Sequence, residues 1–325
     1  MRPFETITFV CSITALSTQL ACGPSLAQGY PSKPVRIIVP AAAGGPTDVV
    51  VRSIAPKFAE SLGQSVLVDN RGGSGGVIGT DLIAKAPPDG HTIAMVFISY
   101  ATNPTLFAKL PYDTLRDFAP VTLVGYQTAV LVLHPSLPAN SVKELIALAK
   151  ARPGKLNYAG DTGSAAHLAG ELFKYMTGTS IVHVPYKGNA PALIDTLAGH
   201  IPFMFNAIIT CLPYVKAGKL KALAVTSAQR SSLAPELPTM IESGLPGFEV
   251  TPWYGIIAPA RTPKAVIGRL HGDIVKVLRT PDVKDRLSSQ GVEVVGSTPE
   301  QFDAYIRKEI SKWEKVLKAA GIRAN

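Results

Sequence analysis

The stretch RIIVPAAAGGPTDVVVR, residues 36–52, constrains the fold more than any other part of the chain. A short β-favouring run enters a turn made almost wholly of small residues, and a helical spacing of apolar side chains begins directly after it. A strand that feeds a helix through so tight a turn is one arm of a βαβ unit. Such units build parallel sheets with helices on both faces. The missing side-chain bulk adds a second constraint, because open α/β sheets bind their ligands beyond the carboxyl ends of the strands. Something is expected to approach the backbone here.

The alternation continues along the chain. Strands are expected at 36–39, 65–70 and 91–99, with helices over 48–62 and 77–85. After a long extended run at 118–134, Ser141 and Glu144 have the spacing of a capping box and open a new set of units. That set has strands at 155–160, 180–184, 201–205 and 220–225, and helices over 164–176, near 190–198 and near 211–217. A second extended run, 248–258, leads to C-terminal helices, a short strand at 292–295 and an amphipathic last helix from Pro299 to about Ala320. The two extended runs bracket the middle third, so the fold expected is α/β with two lobes, each a mainly parallel sheet flanked by helices. Residues 28–125 with 252–325 form one lobe and 126–251 the other. The crossover strands between them act as a hinge that closes on a ligand.

Residues 36–68 can be laid against 155–184: strand, small-residue turn, hydroxyl residue (Thr47, Ser164), helix, Gly-x-Ser, strand. Each lobe thus opens with the same unit. The first helical turn leaves backbone N–H groups without partners, and the helix dipole favours an anion there. In the first turn Ala42, Ala43, Gly44 and Gly45 remove bulk, Pro46 fixes the start of the helix, and Thr47 is the expected N-cap. In the second, Thr162, Gly163 and Ser164 open the helix that carries His167. Each turn could hold a carboxylate by charge-assisted hydrogen bonds. Asp48 suits the dipole and could bond back to hold the turn. Ser99 and Tyr100 end the strand at 91–99 and could line the cleft, as could Asn206 at the end of 201–205. His167 is expected either to pack on the next strand or to touch the ligand. Lys187 either faces solvent or draws the anion.

Other chemistries find less support. The chain carries a formal charge of +9, but its basic residues are scattered, which fits a small anionic ligand better than nucleic acid. Gly73 to Gly79 has the wrong spacing for a dinucleotide fingerprint. Gly72-Gly73-Ser74-Gly75-Gly76 matches GxSxG, so an exported serine hydrolase using Ser74 is the competing class. No HExxH or CxxC occurs, so neither a metal nor a cofactor is expected. Ile7–Leu16 has the length of a signal-peptide core, and Ser25-Leu26-Ala27 the small residues of a cleavage site. Residues 1–27 are therefore read as a signal peptide and the mature protein as periplasmic. Cys11 and Cys22 leave with it, so Cys211 has no disulfide partner.

Several further stretches carry a resemblance: APPDGHT (86–92), NPTLFAKLPYD (103–113), GSAAHLAGELFK (163–174), VPYKG (184–188), KAGKLKALAVTS (216–227), APELPTM (234–240), WYGIIAPARTP (253–263) and KWEKVLKAAGI (312–322). With RIIVPAAAGGPTD, their order and spacing resemble the substrate-binding receptors of tripartite tricarboxylate transporters, the Bug family. The resemblance implies a type II-like periplasmic binding protein, not an enzyme, that grips a small organic acid with the loops at Ala41–Asp48 and Thr162–His167, partly through waters. It also implies delivery to membrane permease subunits; a sensor role for a membrane kinase would use the same site. A monomer is expected. Ala41 stands where the family often has an aromatic residue, and Asn206 where an Asp is frequent, which implies a roomier pocket and weaker preference for an amine-bearing ligand.

Overall fold

β1 (Val35–Val39) enters α1 (Pro46–Leu62), and β2 (Val66–Asn70) enters α2 (Val77–Ala84) through a 3₁₀ turn at Ser74–Gly76. β3 (Thr92–Phe97) enters α3 (Ser99–Leu106). The structure, a computed structural model, describes residues 29–161, 163–186 and 188–322. The expected signal peptide, Thr162 and Lys187 lie outside the described residues. From Pro31 onward the chain forms one compact unit.

The first sheet has the order β11-β4-β10-β3-β1-β2, where β4 is Phe118–Gln127, β10 Trp253–Pro259 and β11 Val292–Val294. The second has the order β7-β6-β8-β5-β9, built from β5 (Ala129–Leu133), β6 (Asn157–Asp161), β7 (Val182–Tyr186), β8 (Phe203–Ala207) and β9 (Lys221–Val225). Both sheets are mixed. β10 pairs antiparallel with β3 and β4, and β5 antiparallel with β8 and β9. The reason is the route of the chain. It leaves the first sheet along β4 and returns along β10, and a strand that returns beside the one that left must run against it.

The long extended runs are broken where they cross. The run expected at 118–134 ends β4 at Gln127 and restarts β5 at Ala129, while 248–252 precedes β10 without pairing as a strand. The crossings hold each other. Gln127 N–H donates to Pro252 O at 2.7 Å, and Thr226 Oγ donates to Val250 O at 2.7 Å. Tyr254 Oη donates to Gln127 Oε1 at 3.0 Å.

The helices of the second set are α4 (Val142–Ala151), α5 (Ala165–Thr177), α6 (Asn189–Leu197) and α7 (Ile208–Lys216). Ser141 caps α4 as expected, its Oγ accepting the Glu144 N–H. After β10 follow α8 (Lys264–Leu278), α9 (Pro281–Ser289) and α10 (Pro299–Ala320). Thr298 and Gln301 form a capping box at the start of α10. At about 1.5 Å per residue α10 is roughly 33 Å long, and it packs on α3 and β4 and reaches α5 in the second set. Trp253, Phe302 and Trp313 are fully buried in one core that also contains Phe173, Phe203 and Phe205. Burial of each such side chain contributes about 1.5–3 kcal/mol. Gly255 is required on β10, since a Cβ there would run into the Phe302 ring.

Candidate functional site

Strand register sets where the two small-residue turns lie. β1 lies beside β3, and Phe97, the last residue of β3, pairs with Tyr254 just after the returning crossover. β6 lies beside β8, and Ala207, the last residue of β8, pairs with Ala129 just after the outgoing one. Ile208 N–H, at the start of α7, donates to Thr128 O in that crossover at 3.0 Å. The carboxyl edges of both sheets therefore meet the crossing segments, and each edge carries one turn.

The turns have the same backbone. Gly44 and Gly163 have φ of 76° and 80°, in the left-handed region that glycine tolerates best. The residues after them, Gly45 and Ser164, are the N-caps, with φ/ψ of −75°/168° and −75°/167°. The internal repeat is thus real in three dimensions, but its register differs from expectation. Gly45 matches Ser164, and Thr47 is not an N-cap. Pro46 at the first helical position and two preceding glycines move the helix start forward, leaving Thr47 buried in the first turn. Ser164 Oγ accepts the His167 N–H, whereas α1 has no side-chain cap.

A side chain four residues on holds each turn. Gly44 N–H donates to Asp48 Oδ2 at 2.8 Å, and Gly163 N–H donates to His167 Nδ1 at 3.1 Å. Asp48, 3% exposed, also takes Arg52 Nε at 2.9 Å on its other oxygen. Burial pushes this carboxyl upward, but hydrogen bonds from Arg52, the Gly44 N–H and Asn70 outweigh burial and hold it below the usual Asp range. Arg52 Nη2 further donates to Asn70 Oδ1, while Asn70 Nδ2 donates to Ala41 O at 3.3 Å, so the last residue of β2 braces the turn from behind. Gly72 lies so close that a Cβ would stand 3.1 Å from Ala42 N.

His167, 5% exposed, stacks on His183 with ring centroids 4.1 Å apart. Burial, then the neighbouring His183, pull its pKa down to about 4 against the opposing influence of Glu171. Glu171 in turn accepts Tyr158 Oη at 2.8 Å and Lys174 Nζ at 2.8 Å. Gly160 allows β6 to approach, since a Cβ there would stand 3.1 Å from His167 N.

These contacts sort the expected site residues. The N–H groups of Gly44 and Gly163 are engaged by the chain itself, and Gly45 N–H points to Ala42 O at 3.3 Å. The first intrahelical bonds run from Val49 to Gly45 O and from Leu168 to Ser164 O. Thr47 and Asp48 in α1, and Ala165 and Ala166 in α5, precede these bonds, so among the described residues their N–H groups are left as open donors, at ends where the dipole favours an anion. Ala42 and Ala43 are exposed beside the first set. Ala165 and Ala166 lie within the expected loop at Thr162–His167 but are not among the individual residues expected to touch the ligand. Asp48 N–H is an open donor although its carboxylate belongs to the turn.

The remaining expected residues divide. Ser99 starts α3 rather than ending β3, and a Cβ on Gly76 would stand 3.1 Å from Pro40 O and 3.5 Å from Ser99 Oγ, which puts Ser99 beside the first turn. Tyr100 turns into the core. It packs edge-on to Phe118 and donates to Thr114 O at 2.7 Å, so its hydroxyl does not line the cleft. Asn206 lies inside β8, and its Oδ1 accepts the Ala207 N–H at 2.8 Å, which leaves its amide N–H groups to donate. Ser74 is exposed with φ 47°, and no described hydrogen bond joins it to a histidine or carboxylate. Cys211 is buried, and burial pushes its thiol up to about 12. Among the described residues no group of His, Cys, Asp or Glu could hold a metal, and no helix is long and apolar enough to cross a membrane.

Residues 50–322 match the tripartite tricarboxylate transporter family receptor. Over 311 residues the chain is 39% identical to protein BugT of Bordetella pertussis, covering 95% of each. The structure superposes on the periplasmic binding protein BugD with a TM-score of 0.77 at 37% identity, covering 91% of this chain and 100% of BugD. It superposes equally on an R. palustris protein solved with adipate, with a TM-score of 0.79 at 37% identity, covering 90% of this chain and 99% of that one. The family is one of solute-binding receptors and not of enzymes, so the hydrolase reading of Ser74 is set aside. With its two-lobed α/β fold and paired turns, the chain belongs to the tripartite tricarboxylate transporter receptor family and is of the Bug type.

Proposed function

We propose that this protein captures a small dicarboxylate between its two halves and presents it to a tripartite tricarboxylate-type permease. The observation that carries this reading is the pair of turns with matching backbone angles, each with two open N–H donors at a helix N-terminus. One carboxylate per turn matches two separate donor pairs better than a monocarboxylate does, and adipate, held by the R. palustris relative, has that form. The ligand-binding set on this reading is Ala42, Ala43, Thr47 and Asp48 from the first turn, Ser164, Ala165 and Ala166 from the second, with Ser99 and Asn206 beside them. Asp48, Gly44, Gly163 and His167 shape the turns. The lobes are 28–125 with 252–325, and 126–251, and they close about the crossings near Gln127 and Pro252. Removal of residues 1–27 releases the protein as a periplasmic monomer.

A thermal-shift screen of mono-, di- and tricarboxylates, followed by calorimetry, tests this. Dicarboxylates are expected to raise the Tm and to bind more tightly than monocarboxylates of equal length. No carboxylate binding at all, or equal binding of the two classes, would refute the reading.

A further inference from the structure

We propose that Asp48 and His167 are paired positioning residues, one per turn, and that the second turn alone is released by acid. The idea rests on the carboxylate reading for its binding assay but on hydrogen-bond geometry for its substance. Both side chains sit four residues after a left-handed glycine and accept that glycine's N–H. Asp Oδ and His Nδ1 are each bonded to Cγ, so the two residue types reach the same point with different chemistry. A glycine peptide turns over easily. Without an acceptor behind it, that N–H would swing outward and the following open donors would lose their common direction.

The two acceptors differ in what a proton does to them. Asp48 is held charged by Arg52. His167 can accept at Nδ1 only while neutral, with its single proton on Nε2. A second proton lands on Nδ1 and sets donor against donor at Gly163. The groups facing the ring are His183 from β7, stacked at 4.1 Å, Glu171 one turn on in α5, with Oε1 3.9 Å from Nε2, Lys174 bonded to Glu171, and Tyr158 from β6, also bonded to Glu171. Glu171 favours the protonated ring, but burial and His183 outweigh it, and Lys174 beside it works the same way as they do. Burial and His183 hold the ring neutral down to about pH 4, whereas a ring freed by opening of the turn would titrate near 6.5. Acid therefore favours the open turn increasingly between those values, by up to about 30-fold at pH 5.

The test uses adipate as probe in calorimetry at pH 7.5 and pH 5.0, with Asp48→Asn, Asp48→Leu, His167→Asn and His167→Leu. Asn Oδ1 replaces either acceptor and does not titrate. At pH 7.5 both Asn variants are expected within about fivefold of the wild type, and both Leu variants to lose tenfold or more. On moving to pH 5.0 the wild type and Asp48→Asn should weaken more than His167→Asn, by up to about 30-fold. Protonation of adipate itself is common to all and cancels in that ratio. Wild-type-like binding by His167→Leu, or an equal pH response of wild type and His167→Asn, would overturn the proposal. Amide exchange at Gly163 decides the matter without ligand. It should be slow in wild type and His167→Asn and fast in His167→Leu, and equal rates would overturn the proposal even if no adipate binds. Failure of wild type to bind adipate or any other carboxylate, with that exchange pattern intact, would count against the function proposed above and not against the positioning role.

Discussion

Gly170→Ala is the substitution whose cost can be worked most fully from the structure. Gly170 lies on α5 one turn beyond His167, and a Cβ there would overlap the Tyr158 ring and stand 2.7 Å from its hydroxyl oxygen. Tyr158 is fully buried, with His183 and Phe203 packed against its ring. Forcing the ring aside costs about 1–3 kcal/mol as overpacking. Breaking the 2.8 Å bond from Tyr158 to the Glu171 carboxylate adds about 1.5–3 kcal/mol. Alanine recovers about 1 kcal/mol of helix propensity. The net expectation is a loss of about 1.5–5 kcal/mol, a large share of a typical 5–15 kcal/mol. Gly268→Ala on α8 is the control, since nothing lies within 4 Å of its Cβ position and only the propensity gain of about 1 kcal/mol applies. Urea unfolding of both variants gives the numbers directly. Equal stabilities for Gly170→Ala and Gly268→Ala would refute the packing account behind the second turn.

Other outcomes follow from the same contacts. Gly44→Ala and Gly163→Ala meet no atom within 4 Å, so each should cost only the left-handed backbone strain, about 1–2 kcal/mol, and should weaken carboxylate binding in calorimetry. His167 is depressed to about 4 in the fold and titrates near 6.5 when unfolded, so the unfolded chain takes up the proton first. Stability should be full above pH 6.5 and fall as pH drops towards 4, by about 3 kcal/mol from this residue, and His167→Asn should flatten that slope in denaturant titrations. Ser74→Ala should leave carboxylate binding unchanged and reveal no esterase activity to lose.

Much of the fold was legible because strand and helix periods are written plainly in runs such as RIIV and FKYM. The break at Thr128 was not, since extended sequence looks the same whether it stays in one sheet or crosses to another. α3 was not expected: the strand is carried to Ser99 and residues 100–106 are given no element, because they contain Asn103 and Pro104 and have little helical patterning. Only packing against α10 and β3 makes it a helix. At the site, the two turns and the holding role of Asp48 could be read from residue types. Which of several small residues takes the left-handed conformation could not, and this misplaced the N-cap at Thr47. The acceptor role of His167 depends on the stacked His183, from a strand sixteen residues later, and no local pattern records that.

Open amides from both turns are expected to meet one ligand. An amide NMR titration with adipate reads this most directly. Thr47, Asp48, Ala165 and Ala166 should show saturable downfield shifts with a single dissociation constant. Shifts confined to one turn, or centred elsewhere in the protein, would contradict this.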